Sequence, residues 1–340
     1  MNSSEFSRNR LLSICVPTFN RTNELDRQLS WLAEEICGFE AECEVIISDN
    51  CSEDNTQEIV DKWRSHFATV SFQSNRNSEN IGWTRNFTYL LNASSSRYTW
   101  MIGDDDPIKP GTLAFVVNTL KSQPDLSLIF LNFSDRWIET GKVATPNWLS
   151  THLEGRKTEG MTVFEECIEK SIGSVMFLTS TVFQTNLART ALRQWSNSVN
   201  NWAGMTYWTG YCATQGSVLV TKENYVECTL GASNWSKDPF IWFRKQYGDI
   251  PELYLKLFEL GYSREFCSKM ILRSVRDEFE VNQAFRIAKY ILWCFKTAPR
   301  SSASVLRVCV LAIYQALFGF NRFHKTYPSR VQYNRSSVLE

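Results

Sequence analysis

Residues 98–106 read YTWMIGDDD, an apolar run that stops at a glycine and three consecutive aspartates. Five apolar or aromatic-rich positions bounded in this way predict a short buried strand, and Gly103, Asp104, Asp105 and Asp106 predict that it empties into a polar loop. Adjacent like charges repel, and each carboxylate costs several kcal/mol if it is desolvated without a partner. A divalent cation removes that penalty. Asp104 and Asp106 are two apart, so in extended backbone they face one side, and hard oxygen ligands of this kind suit Mg2+ or Mn2+ bridging a diphosphate. The alternative is an Asx-type turn with solvated acids, since Pro107 and Pro110 follow at once.

Towards the N-terminus the same strand, loop and helix unit recurs. Residues 11–16 (LLSICV) end at Pro17, Thr18, Phe19 and Asn20, and Leu25, Leu29, Leu32 and Ile36 then repeat at helical spacing. Residues 44–48 (EVIIS) run into the polar loop 49–56 (DNCSEDNT), which carries helix-capping chemistry, and Ile59, Val60 and Trp63 begin a second helical face. A third strand is expected over 70–73 and a helix over 83–91. Beyond the acidic triplet come a helix over 112–121, a strand over 126–132 and an aromatic insertion without clear period over 134–160. A strand over 175–183 and a helix over 187–195 complete the pattern. Strands interleaved with helices predict an α/β fold with a mostly parallel central sheet, in which ligands bind outside the carboxyl ends of the strands. The clusters at 17–21, 49–50 and 104–106 therefore fall on one edge. From residue 252 helices dominate, which divides the chain into a catalytic domain, 1–250, and a helical, basic C-terminal region, 251–340.

Composition excludes several classes. The 340 residues hold 36 Lys and Arg against 36 Asp and Glu and are 43% hydrophobic, so the chain is neither disordered, collagen-like nor polytopic. Ten cysteines contain no CxxC pair, which argues for buried free thiols in a reducing compartment over a zinc ribbon or thioredoxin site. The polar N-terminus, with a first apolar run too short for a signal peptide, agrees with a cytoplasmic location. From residue 281 onward nine Lys or Arg face one acid, Glu340, a net +8 that leaves −8 on the first 280 residues. That asymmetry argues against a whole-molecule affinity for nucleic acid and for a local basic surface. Within it, 305–320 (VLRVCVLAIYQALFGF) is too short to span a bilayer. With Arg300, Arg322 and Lys325 at its flanks it either lies in the interface of an anionic membrane, giving peripheral contact through 300–335, or packs as an ordinary helix.

No GxGxxG follows the first strand and no GxxxxGK[ST] occurs, which removes the dinucleotide fold and the P-loop NTPases. A nucleotidyltransferase would carry a basic glycine-rich loop after the first strand, and LLSICVPTFNR lacks both Gly and Lys. A diphosphate would instead be neutralised by metal at Asp106, by Arg85 and by loop N–H groups. Asp49 either accepts from a base N–H or caps the following helix, and the same two roles stay open for Asn20 and Asn50.

The succession LLSICVPTFNR, EVIISDNCSEDNT, NIGWTRNF and YTWMIGDDDPIKPGTL resembles the nucleotide-sugar-dependent glycosyltransferases of family 2, which have the GT-A fold. Within that family it looks most like the bacterial polysaccharide and O-antigen branch that includes abequosyltransferase-like proteins. The resemblance covers residues 11–130 well and weakens over 170–240. It implies that Pro17, Thr18, Asn20 and Arg21 line the nucleotide pocket, that Asp49 contacts the base, and that Asn80, Gly82 and Arg85 border nucleotide and sugar. Asp104, Asp105 and Asp106 stand for the DxD element, with the first acid on ribose or donor sugar and the last on the metal; Asp104 is also counted with the catalytic and metal-binding acids.

One feature of the family is missing. Inverting members place a carboxylate before a helix in the second half to deprotonate the acceptor hydroxyl, yet 202–208 (WAGMTYW) holds neither acid nor histidine. Either the base comes from elsewhere, with Asp238 first and Glu223 second, or the donor phosphate takes the proton in a retaining, front-face reaction. Trp195, Trp202, Tyr207, Trp208, Tyr211, Trp235, Phe240, Trp242 and Phe243 crowd the same region, and a few of them are expected to form an acceptor platform. The expected function is transfer of a sugar, as a hexosyltransferase-type enzyme, from a nucleoside-diphosphate sugar to a hydroxyl of a polysaccharide or polyprenyl-linked glycan. The alternative is a catalytically silent glycan-binding or membrane-scaffold protein.

Overall fold

The structure, a computed structural model, describes residues 10–149, 154–231 and 244–276. Asp238, Trp235, Phe240, Trp242, Phe243 and the basic segment 300–335 lie outside the described residues. Nine strands form one mixed sheet in the order β3-β2-β1-β4-β8-β5-β9-β7, with β6 paired to β5. The parallel half is built from β1 (Leu12–Thr18), β2 (Cys43–Asp49), β3 (Ser71–Arg76) and β4 (Tyr98–Met101). The strands β1, β2 and β4 are buried at nearly every position because both faces of the sheet are covered, the pattern expected of parallel strands. Leu12, Ile14, Val16, Val45 and Ile47 point into one core, with Leu25, Leu29 and Leu32 of α1 (Thr22–Glu35), Val60 and Trp63 of α2 (Thr56–His66) and Leu113, Val116 and Val117 of α4 (Thr112–Ser122). Cys15 and Ile46, one residue out of phase, point into the other.

That second core holds α3 (Trp83–Ala93), α5 (Gly160–Lys170), α6 (Gly173–Met176), α7 (Thr185–Gln194) and α8 (Gly204–Ala213). It continues into α9 (Ile250–Glu259) and α10 (Arg264–Arg276), whose Leu253, Tyr254, Leu257, Phe266 and Met270 pack in the same cluster as Phe164 and Trp208. Tyr262, between them, donates its hydroxyl to the Gly210 carbonyl at 2.8 Å. Trp195, Tyr207 and Trp208 are buried here and fill core space, while Trp202 stays partly open. Cys15, Cys43, Cys167, Cys212 and Cys267 are free and buried, as their apolar surroundings predict.

The structure corrects one expectation. Residues 175–183 are not one strand: a short helix and a 3-10 turn at Leu178–Ser180 precede β8, which covers only Thr181–Gln184. The hydroxyls of Ser180 and Thr181 donate back to the carbonyls three residues earlier, Phe177 and Leu178, and such local bonds favour turns over a ladder. The strand β8 runs antiparallel between β4 and β5 (Leu126–Trp137), within a mixed sheet whose strands are mostly parallel, as expected. The insertion at 134–160, which shows no clear period in the sequence, contributes strands. It extends β5 to Trp137, adds β6 (Val143–Thr145) against it, and lays β7 (Gly155–Lys157) on β9 (Ser217–Leu230).

Candidate functional site

Chain direction across the sheet reverses at β1, since β2 and β3 are added on one side of it and β4 on the other. The crevice at such a switch point is where α/β sheets bind ligands. Arg21, three residues beyond β1, and Asp104, three beyond β4, meet there: Arg21 Nη1 donates to Asp104 Oδ1 at 2.9 Å and stands 2.5 Å from Asp105 Oδ2. Asp106 has no basic partner among the described residues; its Oδ2 accepts from the Thr179 hydroxyl, and the Thr229 N–H also bonds its carboxyl. Thr179 also takes the Gly103 N–H on its Oγ1 at 3.0 Å, so one hydroxyl group pins both ends of the acidic loop. On its outer side the loop is fastened to β9: Thr229 donates to the Asp105 carbonyl, Glu227 N–H to that of Pro107, and Lys109 N–H to that of Tyr225.

The acids are buried, Asp104 to 6% exposure and Asp106 to 8%. Burial pushes the Asp104 carboxyl up to about 6 against the pull of Arg21, and burial with the charge of Asp105 pushes Asp106 higher still. The buried Thr18 hydroxyl reaches the Asp104 carboxyl and, with Arg21, works against the rise. Under-compensated negative charge is what a hard cation would satisfy. No group of three or more His, Cys, Asp or Glu is assembled among the described residues. A cation held here would rest on two carboxylates and draw its other ligands from substrate and water, the usual arrangement for Mg2+ with a diphosphate.

Gly103 is required by this packing. A Cβ at that position would stand 2.3 Å from Asp106 Oδ2, so Gly103→Ala must rotate the carboxylate away. Mn2+ affinity measured by calorimetry should fall at least about tenfold, with thermal stability changed by a few degrees at most. Unchanged Mn2+ affinity would mean that Asp106 is not a ligand.

The loops after β2 and β3 are tied by amides. Asn50 donates to Asn80 Oδ1 at 2.7 Å and accepts from Ile81 N–H and Asn77 Nδ2, while Asn77 also reaches Asn86 Oδ1. Asn20 and Cys51 hold positive φ, 53° and 69°, and Asn20 is locked by bonds from its N–H to Ser52 and from Glu53 N–H to its side chain. Asp49 is fully buried; its oxygens accept from Ser52 N–H at 2.9 Å and Gln57 Nε2 at 2.6 Å, so it closes the turn before α2. Gly82, at φ 81°, lets the chain enter α3, and Arg85 on that helix donates to Asn200 Oδ1 at 3.3 Å. Arg21 is thus joined to Asp104 and Asp105, Asn20 to the loop after β2, and Asn50 to Asn80, while Arg85 turns to Asn200. Glu223 lies exposed on β9. Sequence reasoning passed over Thr179 and Asp249. Asp249 is a buried carboxyl that accepts from Trp202 N–H and pairs with Arg244 Nε at 3.3 Å. Burial raises it to about 6, with Arg244 opposing and Glu252 adding to the rise.

Comparison with known proteins agrees with this geometry. Abequosyltransferase RfbV of Salmonella typhimurium is 36% identical over 118 residues, 35% of this chain and 35% of its own. Poly(ribitol-phosphate) beta-N-acetylglucosaminyltransferase TarS of Staphylococcus aureus is 32% identical over 101 residues, 30% of this chain and 17% of its own. The chain thus aligns with about a third or less of these relatives' lengths. Crystal structures of S. aureus TarS 1-349 share the fold, at a TM-score of 0.60 and 15% identity over 91% of this chain and 88% of that one. One of them holds UDP-GlcNAc. The mannosyltransferase PcManGT of Pyrobaculum calidifontis, in complex with GDP-Man and Mn2+, superposes at a TM-score of 0.50 and 12% identity over 91% of this chain and 89% of its own. Residues 13–167 match the profile "Glycosyl transferase family 2". The fold is therefore GT-A, and residues 13–167 are similar to the glycosyl transferase family 2 domain.

Proposed function

We propose that the protein is a glycosyltransferase that moves one sugar from a nucleoside-diphosphate sugar to a hydroxyl of a polysaccharide or lipid-linked glycan, with a divalent cation held by Asp104 and Asp106. The observation that carries this reading is the pair of buried, under-compensated carboxyls at the switch point of the sheet. Bound there, Mg2+ or Mn2+ supplies Lewis-acid neutralisation of the leaving diphosphate. The chain's own residues do the rest. Arg21, already drawn to the acids, stands ready to share its charge with phosphate oxygens, and Arg85, which meets only an amide oxygen among its described contacts, adds a second positive group. Pro17, Thr18 and Asn20 border the nucleotide, Asp49 keeps lone pairs for a base N–H beyond those spent on its turn, and Asn80 and Gly82 line the sugar side.

In the transfer, the acceptor oxygen forms a bond to the sugar C1 as the bond from C1 to the phosphate oxygen breaks. The acceptor proton goes to Asp238, to Glu223 or to the departing phosphate. We assign the catalytic unit to 1–250 and a basic helical region to 251–340, with a cytoplasmic location and membrane contact through 300–335 as parts of the same proposal. Among the described residues no helix is long and apolar enough to cross a membrane.

Calorimetry with UDP, GDP, CDP and dTDP, with and without Mn2+, tests the core of the reading. One nucleotide should bind, at least about tenfold more tightly with the cation. If none binds under either condition, a silent glycan-binding or scaffold protein replaces the transferase.

A further inference from the structure

Trp83 opens α3 and is 41% exposed, although it is among the largest apolar side chains of the molecule. Its ring is nonetheless fixed. Phe87, one turn along the helix, meets it edge-on with centroids 5.9 Å apart at 88°, and Trp202 meets it at 6.4 Å and 70°. Trp202 is held in turn: its backbone N–H donates to Asp249 Oδ2 at 3.0 Å, and the Lys245 ammonium stands 3.6 Å from its ring centroid. Arg85 and Arg244 converge on the neighbouring Asn200, one on its side-chain oxygen and the other on its carbonyl. The corner therefore has an open indole, rigid walls and a rim of N–H donors, beside the Asn80 to Gly82 loop.

An indole held by two ring contacts yet open on one side is a surface that a ligand can cover. A ring oriented before binding gives a large contact area at low entropic cost. Its flat apolar face matches the C–H face of a pyranose, and cationic N–H groups at the rim match the hydroxyls around it. We propose that Trp83 is the stacking platform for the acceptor glycan, with Trp202 as its wall and Lys245 bonding the ring hydroxyls. This rests on the transferase reading and narrows the acceptor to one that presents a pyranose ring at the transfer site, in place of a bare lipid headgroup. Asp249 acts through Trp202 as a positioning residue.

The test uses methyl glycopyranosides of galactose, glucose, mannose and rhamnose as probes of the full chain, read by saturation-transfer NMR and tryptophan fluorescence. At least one should bind through its C–H face. Trp83→Ala should weaken that binding at least about tenfold, and Trp83→Phe, which keeps a ring, should stay within about threefold. UDP, GDP, CDP and dTDP affinities measured alongside should not change, which also verifies that the variants are folded. Glycosides that bind Trp83→Ala as well as the parent, or none that bind the parent, would overturn the platform. If glycosides bind through Trp83 while no nucleotide binds, the transferase reading falls and the platform stands as a glycan-binding site. Nucleotide binding with no glycoside at Trp83 removes the platform alone.

Discussion

Replacing Asp106 by alanine should lower Mn2+- or Mg2+-dependent donor turnover by about a thousandfold or more. The size follows from the environment of the group. Asp106 is 8% exposed, lacks a basic partner among the described residues, and sits within reach of the charges of Asp105 and Asp104. A carboxylate kept in that position without a countercharge gains little for the fold, so its value is realised only when a cation arrives. Two outcomes should therefore separate in one variant. Activity collapses, while the melting temperature of the metal-free protein stays within a few degrees. Asp106→Asn keeps the shape and the Thr179 bond but loses the charge, and should be nearly as inactive. Undiminished turnover in Asp106→Ala, measured with the nucleotide sugar whose nucleotide binds by calorimetry, would end the metal assignment.

The parallel half of the sheet was legible because strands covered on both faces are written as continuous apolar runs, and each run stops where its polar loop begins. Pro17, Asp49 and Gly103 mark three of those stops, and register places Thr18 opposite Asp49 and Asp49 opposite Arg76. The second half resisted reading for two physical reasons. The run at 175–183 is apolar enough for a strand, but hydroxyls at Ser180 and Thr181 bond backwards and turn most of it. The aromatics at 195–208 could not be sorted by type, since Trp208 and Trp202 have the same chemistry and only packing against α5 and α9 decides that one is core and the other a wall. Thr179 was invisible for a third reason. It contacts Asp106 from 73 residues away, and no local pattern announces a hydroxyl that fixes a distant acid.

Glu44→Ala should destabilise the protein by about 3–5 kcal/mol and lower its melting temperature by on the order of 10 °C, without touching nucleotide binding in the folded fraction. In the sequence Glu44 opens the strand-like run EVIIS and gives no sign of its surroundings. In the structure it is fully buried at the amino end of β2, and its carboxyl group gathers five donors: the hydroxyls of Ser13, Ser95 and Ser96 and the N–H groups of Ser95 and Ser96. The last four come from the turn between α3 and β4, so one side chain joins β1, β2 and the connection into the strand that carries the acidic triplet. Alanine leaves those donors facing a cavity, and buried donors without acceptors are what make such deletions costly. Glu44→Gln is the sharper test, since it keeps volume and one acceptor but turns an N–H pair towards groups that already donate. Its loss should be smaller than that of alanine yet above about 1 kcal/mol. Along β2, Asp49 is five residues and about 16 Å further on, at the site edge. A stability loss paired with unchanged nucleotide affinity would therefore separate the two ends of the strand. Loss of affinity in proportion to loss of stability would instead show that the serine turn sets the position of β4 and, through it, of Asp104 and Asp106.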